Sequence, residues 1–279
     1  MTQVLINEQL DKQLAQDGYV VVKFIEKEKV EELLALYHTH HTNPIPGFYA
    51  SVFSDDVAKR QEITDKLKSV YEPMVNSLFT NHKMIGGIFV VKTDDEKERL
   101  HPHQDWGFID EEKYRAFNIW VPLVDVNEKN GAFRITPGSH LWVKNYRGPK
   151  LPDSFPDARE RIWENMKTMN LTAGEGVIYD ARLFHASFPN TTNNHRVATV
   201  FGAIPNGVPM LHYIANNNKV DVYESNEEFF LGGNINKGAE LLKKLYDVEL
   251  RNEVSNTIPK YLNTPIQAKK QNWFKRLFS

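Results

Sequence analysis

The chain of 279 residues contains no cysteine. Disulfide bonds, thiolate catalysis and cysteine zinc sites are therefore excluded, and a reducing compartment is consistent with this composition. A large excess of one charge is also missing, because 34 basic and 36 acidic residues give a formal net charge of −2. This balance does not favour binding to nucleic acid.

Long apolar runs are absent as well. No run approaches the roughly 20 residues that a membrane-spanning helix needs. The first residues carry acids in place of a basic region and lack the apolar stretch of a secretory signal. We therefore expect a soluble, cytoplasmic protein without nucleic-acid partners, and the sequence leaves its oligomeric state open.

The first eighty residues have mainly helical periodicity. A short β-branched run at residues 18–24 predicts one early strand. Apolar spacing of three and four predicts a helix over residues 29–40 and a longer one over about residues 55–79. Pro73 is expected to bend or break the longer helix.

The pattern changes to short strands from Met84 onward. Apolar or alternating runs are separated by the turn signals Asn130-Gly131, Pro137-Gly138 and Gly174-Glu175-Gly176, which favours a sandwich or barrel. A mostly helical insertion is predicted at about residues 153–169, and a further helix at residues 238–250.

The segment "HPHQD" carries the first candidate metal ligands. In an extended segment, residues two apart share one face, so His103 and Asp105 form a two-ligand pair. A third ligand must come from elsewhere, and His185 at the end of a later apolar strand is the best candidate. Two histidines and one carboxylate form the facial triad that holds ferrous iron. Ser187 lies two residues beyond His185. Arg196 lies in an apolar strand, where its guanidinium is suited to bind a carboxylate through two hydrogen bonds.

Two longer stretches follow the His-x-Asp pair in a fixed order: "NIWVPLVDVNEKNGAFRITPGSH" and "GEGVIYDARLFHASFPNTTNNHR". Together these residues resemble the phytanoyl-CoA dioxygenase family of Fe(II)/2-oxoglutarate-dependent oxygenases, over roughly residues 18–205. The resemblance implies a mainly β fold with flanking helices: a double-stranded β-helix (jelly-roll, cupin-like) core, a helical N-terminal part and a C-terminal helical extension. We expect a single domain over residues 1–279, with the core at about 84–206 and the extension at about 207–279.

The resemblance also implies a role for particular residues. His103, Asp105 and His185 would bind Fe(II). Arg196 would form a salt bridge with the distal carboxylate of the cosubstrate 2-oxoglutarate, and Ser187 would donate a hydrogen bond to it. Three further residues would line the cosubstrate pocket: Asn118, Trp120 and Lys92.

The implied reaction consumes O2 and 2-oxoglutarate, hydroxylates an unactivated carbon of a small-molecule or lipid-like substrate, and releases succinate and CO2. Asp105 favours hydroxylation over halogenation, because related halogenases carry a small residue there. Desaturation, ring closure and epimerisation remain open. One alternative is a cupin-like oxygenase that uses His101 as a nitrogen ligand and no 2-oxoglutarate. Another is a non-catalytic binding protein on the same fold.

Several other residues have two interpretations. His140 is expected to brace a turn and His195 to lie on the surface. Arg182 either pairs with Asp180 or faces the substrate. Lys144, Arg147 and Lys150 either hold an anionic group or form a solvated basic loop. The tail, with Trp273, Phe274, Leu277 and Phe278 among basic residues, either contacts a membrane surface or docks as a helix on protein, which we favour.

Overall fold

The N-terminal part of the chain forms helices that cover one face of a large β-sheet. The structure, a computed structural model, describes residues 3–41, 47–93, 99–232, 240–256 and 258–262. The helices are α1 (Glu8–Asp17), α2 (Lys27–His40) and α3 (Val57–Leu78), and strand β1 (Tyr19–Lys23) follows α1. The early strand and both predicted helices are therefore confirmed.

The ends of these helices follow from local residues. The Asn7 side chain accepts hydrogen bonds of 3.0 Å from the amides of Gln9 and Leu10 and so begins α1. Gly18, at φ 78°, ends it in the left-handed conformation that glycine adopts without strain. Helix α3 continues through Pro73, so the helix does not break there and the predicted bend stays a prediction. Its buried side chains, including Leu67 and Tyr71, pack on the sheet and stabilise the helix against the lost hydrogen bond.

The large sheet has six antiparallel strands in the order β1-β9-β5-β11-β3-β2. The strands other than β1 are β2 (Phe48–Ala50), β3 (His82–Lys92), β5 (Phe117–Pro122), β9 (Glu175–Asp180) and β11 (Arg196–Pro205). Side chains alternate across it, because Ile119 and Val121 join the helix-facing core, whereas Trp120 joins a second apolar cluster on the other face.

A smaller sheet encloses that second cluster. Its antiparallel order is β4-β10-β6-β8, from β4 (Leu100–His103), β6 (Phe133–Ile135), β8 (Lys167–Met169) and β10 (His185–Ser187). The cluster between the sheets contains Phe133 and Ile135 from the small sheet and Val90, Trp120 and Ala198 from the large one. The mainly β fold with a double-stranded β-helix core is thus confirmed.

The segment after the core is mainly β in its described part. Strands β12 (Met210–Asn216), β13 (Lys219–Ser225) and β14 (Lys244–Glu249) form a third sheet, and α5 (Glu227–Leu231) is the helix found there. The helix predicted over residues 238–250 is therefore wrong, since Tyr246 and Val248 pair in β14 with Val222 and Val220 of β13. Strand pairing overrides the helical propensity of this segment.

The insertion near residue 160 is helical only in part. Helix α4 (Arg159–Glu164) follows a short turn and gives way to β8. Strand β7 (Val143–Asn145) pairs with β15 (Asn252–Val254), which joins the C-terminal segment to the core. The basic-aromatic tail, residues 268–279, lies outside the described residues. Among the helices that the structure describes, none is both long and apolar enough to cross a membrane.

Candidate metal centre

Three side chains from separate parts of the sequence converge between the two sheets. One ligand atom each from His103, Asp105 and His185 lies within 4.8 Å of the other two. The Nε2 atoms of His103 and His185 lie 3.9 Å and 3.5 Å from Oδ1 of Asp105. The two imidazole rings are 4.2 Å apart between centroids. Two nitrogens and one carboxylate oxygen therefore face one point, as a facial triad requires.

The small sheet places the two histidines. Strands β4 and β10 are neighbours, and their register sets His103 directly opposite His185. Strand β4 ends at His103, so Asp105 lies in the loop beyond it and not in the strand that the spacing predicted. Arg147 fixes this loop, because its Nε donates a hydrogen bond of 2.6 Å to the backbone carbonyl of Asp105.

Backbone carbonyls set the tautomer of both histidines. Nδ1 of His103 lies 2.8 Å from the carbonyl oxygen of His101, and Nδ1 of His185 lies 3.1 Å from that of Leu183. A carbonyl oxygen only accepts, so Nδ1 carries the proton in each ring. The lone pair of each Nε2 is then directed at the point shared with Asp105 and is available to a metal ion.

The second oxygen of Asp105 is held by two donors from the large sheet. Oδ2 accepts a hydrogen bond of 2.6 Å from Nδ2 of Asn118 and one of 3.1 Å from the hydroxyl of Tyr179. Asn118 of β5 and Tyr179 of β9 are register partners, which explains why they reach the same oxygen. Oδ1 remains directed at the histidines, so the carboxylate presents one oxygen to the centre.

The charges in the cluster keep Asp105 and His103 in the forms that bind a metal ion. Burial opposes ionisation of Asp105, but the neighbouring His185 and His103 hold the pKa of its carboxyl below the ordinary value. Burial lowers the pKa of His103 to about 4, and His185 acts in the same direction. Burial also opposes charge on His185, whereas Asp105 raises its pKa. An ionised carboxylate beside a neutral His103 suits a divalent cation.

A cationic pair lies on the interior face of the large sheet. Arg196 and Lys92, 2% and 1% exposed, are direct partners across β11 and β3. Each lies two residues from a member of the second apolar cluster, Ala198 on β11 or Val90 on β3, and therefore faces that cluster. Arg196 donates to the carbonyl of Val90 at 3.1 Å, and its guanidinium carbon lies 5.5 Å from the ring centroid of Trp120.

Aromatic rings connect this pair with the triad. Trp120 stacks on Phe133 at 5.2 Å between centroids, and Phe133 lies 5.3 Å from the ring of His185. Ser187 lies opposite Phe133 in the register of β10 and β6. The Ser187 hydroxyl is buried and makes no hydrogen bond with any described residue. It is therefore a donor available to a ligand.

An apolar cleft of about 240 Å³ opens beside Asp105 and Asn118. Its apolar lining comes from strands β3, β11 and β12, the loop after Asp105 and helix α5, and includes Ile85, Ile88, Phe108, Val200, Met210 and Phe230. A second recess, of about 50 Å³, adjoins His103 and is mostly polar. The triad thus adjoins one apolar cleft and one polar recess.

The remaining histidines stand apart from the triad. The side chain of His101 is exposed and is not one of the clustered ligands. His140 is buried, and its Nε2 lies 3.2 Å from the carbonyl of Ala15, so it links its own segment to helix α1. His195 is exposed, as predicted, and its Nδ1 lies 3.1 Å from the hydroxyl of Tyr37.

The other charged residues considered for substrate or anion binding differ in their burial and in their ion-pair partners. Arg182 pairs with Asp180 through two hydrogen bonds of 2.8 Å, which favours the structural interpretation of Arg182. Arg147 is buried and pairs with Glu111 at 2.7 Å, so it does not belong to a solvated basic loop. Lys144 and Lys150 are exposed.

Sequence reasoning did not identify Tyr179 or the contact of Arg147 with the Asp105 loop. Tyr179 sits on an interior position of β9, two residues after Val177 of the same cluster. The alternation of the β9 run could have pointed to an inward tyrosine. Nothing in the local sequence around Arg147 indicates that it would reach a loop more than forty residues away.

Comparisons with known proteins agree with this architecture. The family model described as phytanoyl-CoA dioxygenase (PhyH) matches residues 12–198. Dioxygenase trt7 of Aspergillus terreus is 29% identical over 90 residues, 32% of this chain and 27% of that protein. The chain thus spans about a quarter of the length of the curated relatives that it matches.

Two solved structures share the fold. The epimerase SnoN, in complex with Fe3+, alpha ketoglutarate and nogalamycin RO, has a TM-score of 0.53 and 23% identity, over 73% of this chain and 85% of that one. The alpha ketoglutarate dependent carbocyclase SnoK from nogalamycin biosynthesis has a TM-score of 0.54 and 15% identity, over 74% and 86%. Since the family model matches well over half of its length, the chain belongs to the phytanoyl-CoA dioxygenase family, whose members are Fe(II)/2-oxoglutarate-dependent oxygenases.

Proposed function

We propose that this protein uses Fe(II), 2-oxoglutarate and O2 to hydroxylate an unactivated carbon of a small-molecule or lipid-like substrate. The observation that carries the proposal is the convergence of His103, Asp105 and His185 within 4.8 Å. Two imidazole nitrogens and a single carboxylate oxygen fit ferrous iron, and they leave coordination positions open for other ligands.

The fit extends to the hydrogen bonds around the triad. Asn118 and Tyr179 occupy Oδ2 of Asp105 and direct Oδ1 toward the two Nε2 atoms. The carbonyls behind His103 and His185 hold their Nδ1 protons. Bound Fe(II) supplies the activation of O2 and the oxidative decarboxylation of 2-oxoglutarate. The protein orients the ligands and keeps water away.

The interior cations supply the cosubstrate site. We assign Arg196 to the distal carboxylate of 2-oxoglutarate, because a buried guanidinium can form a bidentate salt bridge. The hydroxyl of Ser187 donates to the same group, since its Oγ is buried without another hydrogen bond in the described structure. Lys92 adds positive charge beside Arg196, and Trp120 forms an aromatic wall.

The ligand set favours hydroxylation over halogenation. One atom of O2 enters the substrate carbon in place of its hydrogen, which ends on the new hydroxyl, and the other atom enters succinate as CO2 leaves. Asp105 occupies the third ligand position, so a halide ion has no vacant carboxylate position to take. The similar structures are an epimerase and a carbocyclase, so the product itself must be identified.

The test begins with the metal and cosubstrate alone. The full chain, mixed anaerobically with Fe(II) and 2-oxoglutarate, is expected to develop the weak visible charge-transfer band of the chelate. His185→Ala should lose the band, and the exposed His101→Ala is the matched control that should keep it. A metabolite screen for substrate-dependent succinate, with isotopically heavy O2, then identifies the product. The proposal fails if no band forms, or if the label reaches succinate and never a product hydroxyl.

A further inference from the structure

We infer that the substrate of this site presents an uncharged, apolar body, which lies in the cleft between β3, β11 and α5 beside Asp105. This inference rests on the proposed function, and it specifies the substrate class. It is carried by the shape, the lining and the charges of the cleft of about 240 Å³ described above.

A bulge in β3 builds one wall of the cleft. The register of β3 and β11 shifts between Val200, opposite Ile88, and Gly202, opposite Ile85. Ile85 and Ile88 are three residues apart and would face opposite sides of a regular strand. The extra residue of the bulge lets both line the cleft. Gly86 makes the bend at φ 63°, in the left-handed region that glycine adopts readily.

Apolar side chains also form most of the other walls of the cleft. Ile88 and Val200 are half-buried partners and form the floor, while Phe108 and Phe230 pack edge to face at 5.1 Å between centroids. Apolar surface that stays open to solvent next to a catalytic centre indicates a hydrophobic ligand.

The charges of the cleft disfavour an anion. Among the described lining residues, the ionisable ones are the acids Asp105 and Glu227, and none is basic. Glu227 accepts a hydrogen bond of 2.8 Å from the amide of Gly86 and forms an ion pair with Lys68, which neutralises it. A carboxylate or phosphate in this cleft would lose its hydration without gaining a cationic partner.

The polar recess beside His103 offers no alternative for a bulky group. It encloses about 50 Å³, and its polar lining includes the cations Arg147 and Arg159 as well as Gln104, Asn145 and Ser154. The last three already bond to each other through the amide of Asn145, at 3.3 Å and 2.8 Å. A cavity needs roughly 10–15 Å³ to hold one water molecule, so the recess suits a few water molecules or a small polar group.

The test uses the full chain and a neutral apolar dye, N-phenylnaphthylamine, whose fluorescence rises on burial. Decanol and decanoate, which have equal chain length, serve as competitors. Decanol should displace the dye at least about tenfold more strongly than decanoate, which is about 1.4 kcal/mol. Equal displacement by the two would overturn the inference.

Variants locate the dye. Val200→Trp fills the cleft and should weaken dye binding at least about tenfold. The matched control, Val254→Trp on the exposed strand β15, should leave it unchanged. Ile88→Asn, a polar change at a half-buried position, should also weaken binding, so the test does not depend on one variant folding. Unchanged affinity in a folded cleft variant would exclude this location.

Glu227→Gln tests the charge argument. The change leaves Lys68 without its ion-pair partner at the rim, so the preference for decanol over decanoate should shrink. A preference that stays the same or grows would contradict the role given to these charges. If the proposed function is wrong, the Fe(II)–2-oxoglutarate band will not form, but the dye will still bind. If the band forms and the cleft variants leave the dye affinity unchanged, only this inference is refuted.

Discussion

Asn118 donates a hydrogen bond of 2.6 Å to Oδ2 of Asp105 and thereby determines which carboxylate oxygen faces the two histidines. Replacing Asn118 by Leu should free the carboxylate to rotate and should weaken binding of a divalent metal ion roughly 10- to 100-fold. Tyr179→Phe, which removes the longer hydrogen bond, should have a smaller effect in the same direction. Titration calorimetry with Ni(II) measures the metal affinity of both variants. Wild-type affinity in both variants would mean that the two donors do not orient Asp105.

Arg196 lies on the interior face of β11, and the rings of Trp120 and Phe133 connect it with His185. Arg196→Ala should weaken 2-oxoglutarate binding about 30-fold or more, because truncating one partner of a buried charge pair costs at least about 2 kcal/mol. Metal binding should change little, since Arg196 contributes no ligand atom. Calorimetry on the Ni(II)-loaded protein gives both constants, and Lys12→Ala, at an exposed position of α1, is the control. A loss of metal binding equal to the loss of 2-oxoglutarate binding would indicate general unfolding.

His101 and His103 share a strand, but only His103 belongs to the clustered ligands. His103→Ala should reduce affinity for Fe(II) by at least about 100-fold, since a third of the ligand set is lost. His101→Ala should keep the affinity within a few fold, because its backbone carbonyl, and not its side chain, contacts the site. Competition with a metal-binding dye measures both affinities. The reverse result would revive a cupin-like site built on His101.

His82 predicts an acid-dependent loss of stability away from the metal centre. Its side chain is 9% exposed between the rings of Phe79 and Phe117, and neither ring nitrogen forms a hydrogen bond with a described residue. Burial lowers its pKa from 6.5 to about 4, and the Arg115 charge adds to this effect. In that window the unfolded chain binds the proton and the folded chain does not. The free energy of unfolding therefore falls as the pH drops from 6.5 toward 4.

His82→Phe removes this titration and keeps the packing. Urea denaturation across the same pH window should show a shallower loss of stability in the variant, by up to about 1.4 kcal/mol per pH unit. His101→Phe, at an exposed position, is the control. Parallel curves for the wild type and His82→Phe would show that His82 does not contribute.

The strand pattern of the core could be predicted because alternation is a local property. Ile119 and Val121 face the helices while Trp120 faces the interior, as the run "NIWVP" indicates. The three metal ligands could also be predicted, because their spacing and their order matched a known family. In residues 244–249, by contrast, the local pattern resembles a helix, and pairing with β13 imposes a strand.

The sequence by itself determined which side chains could bind a metal ion, and it determined the alternation that turns Arg196 and Lys92 inward. Only the tertiary structure decided that Asp105 leaves strand β4, that Asn118 and Tyr179 share its second oxygen, and that Arg147 holds its loop. The physical reason is that side-chain direction along a strand repeats every two residues. Hydrogen-bond partners depend instead on which strands and loops become neighbours, and that requires the whole chain to fold.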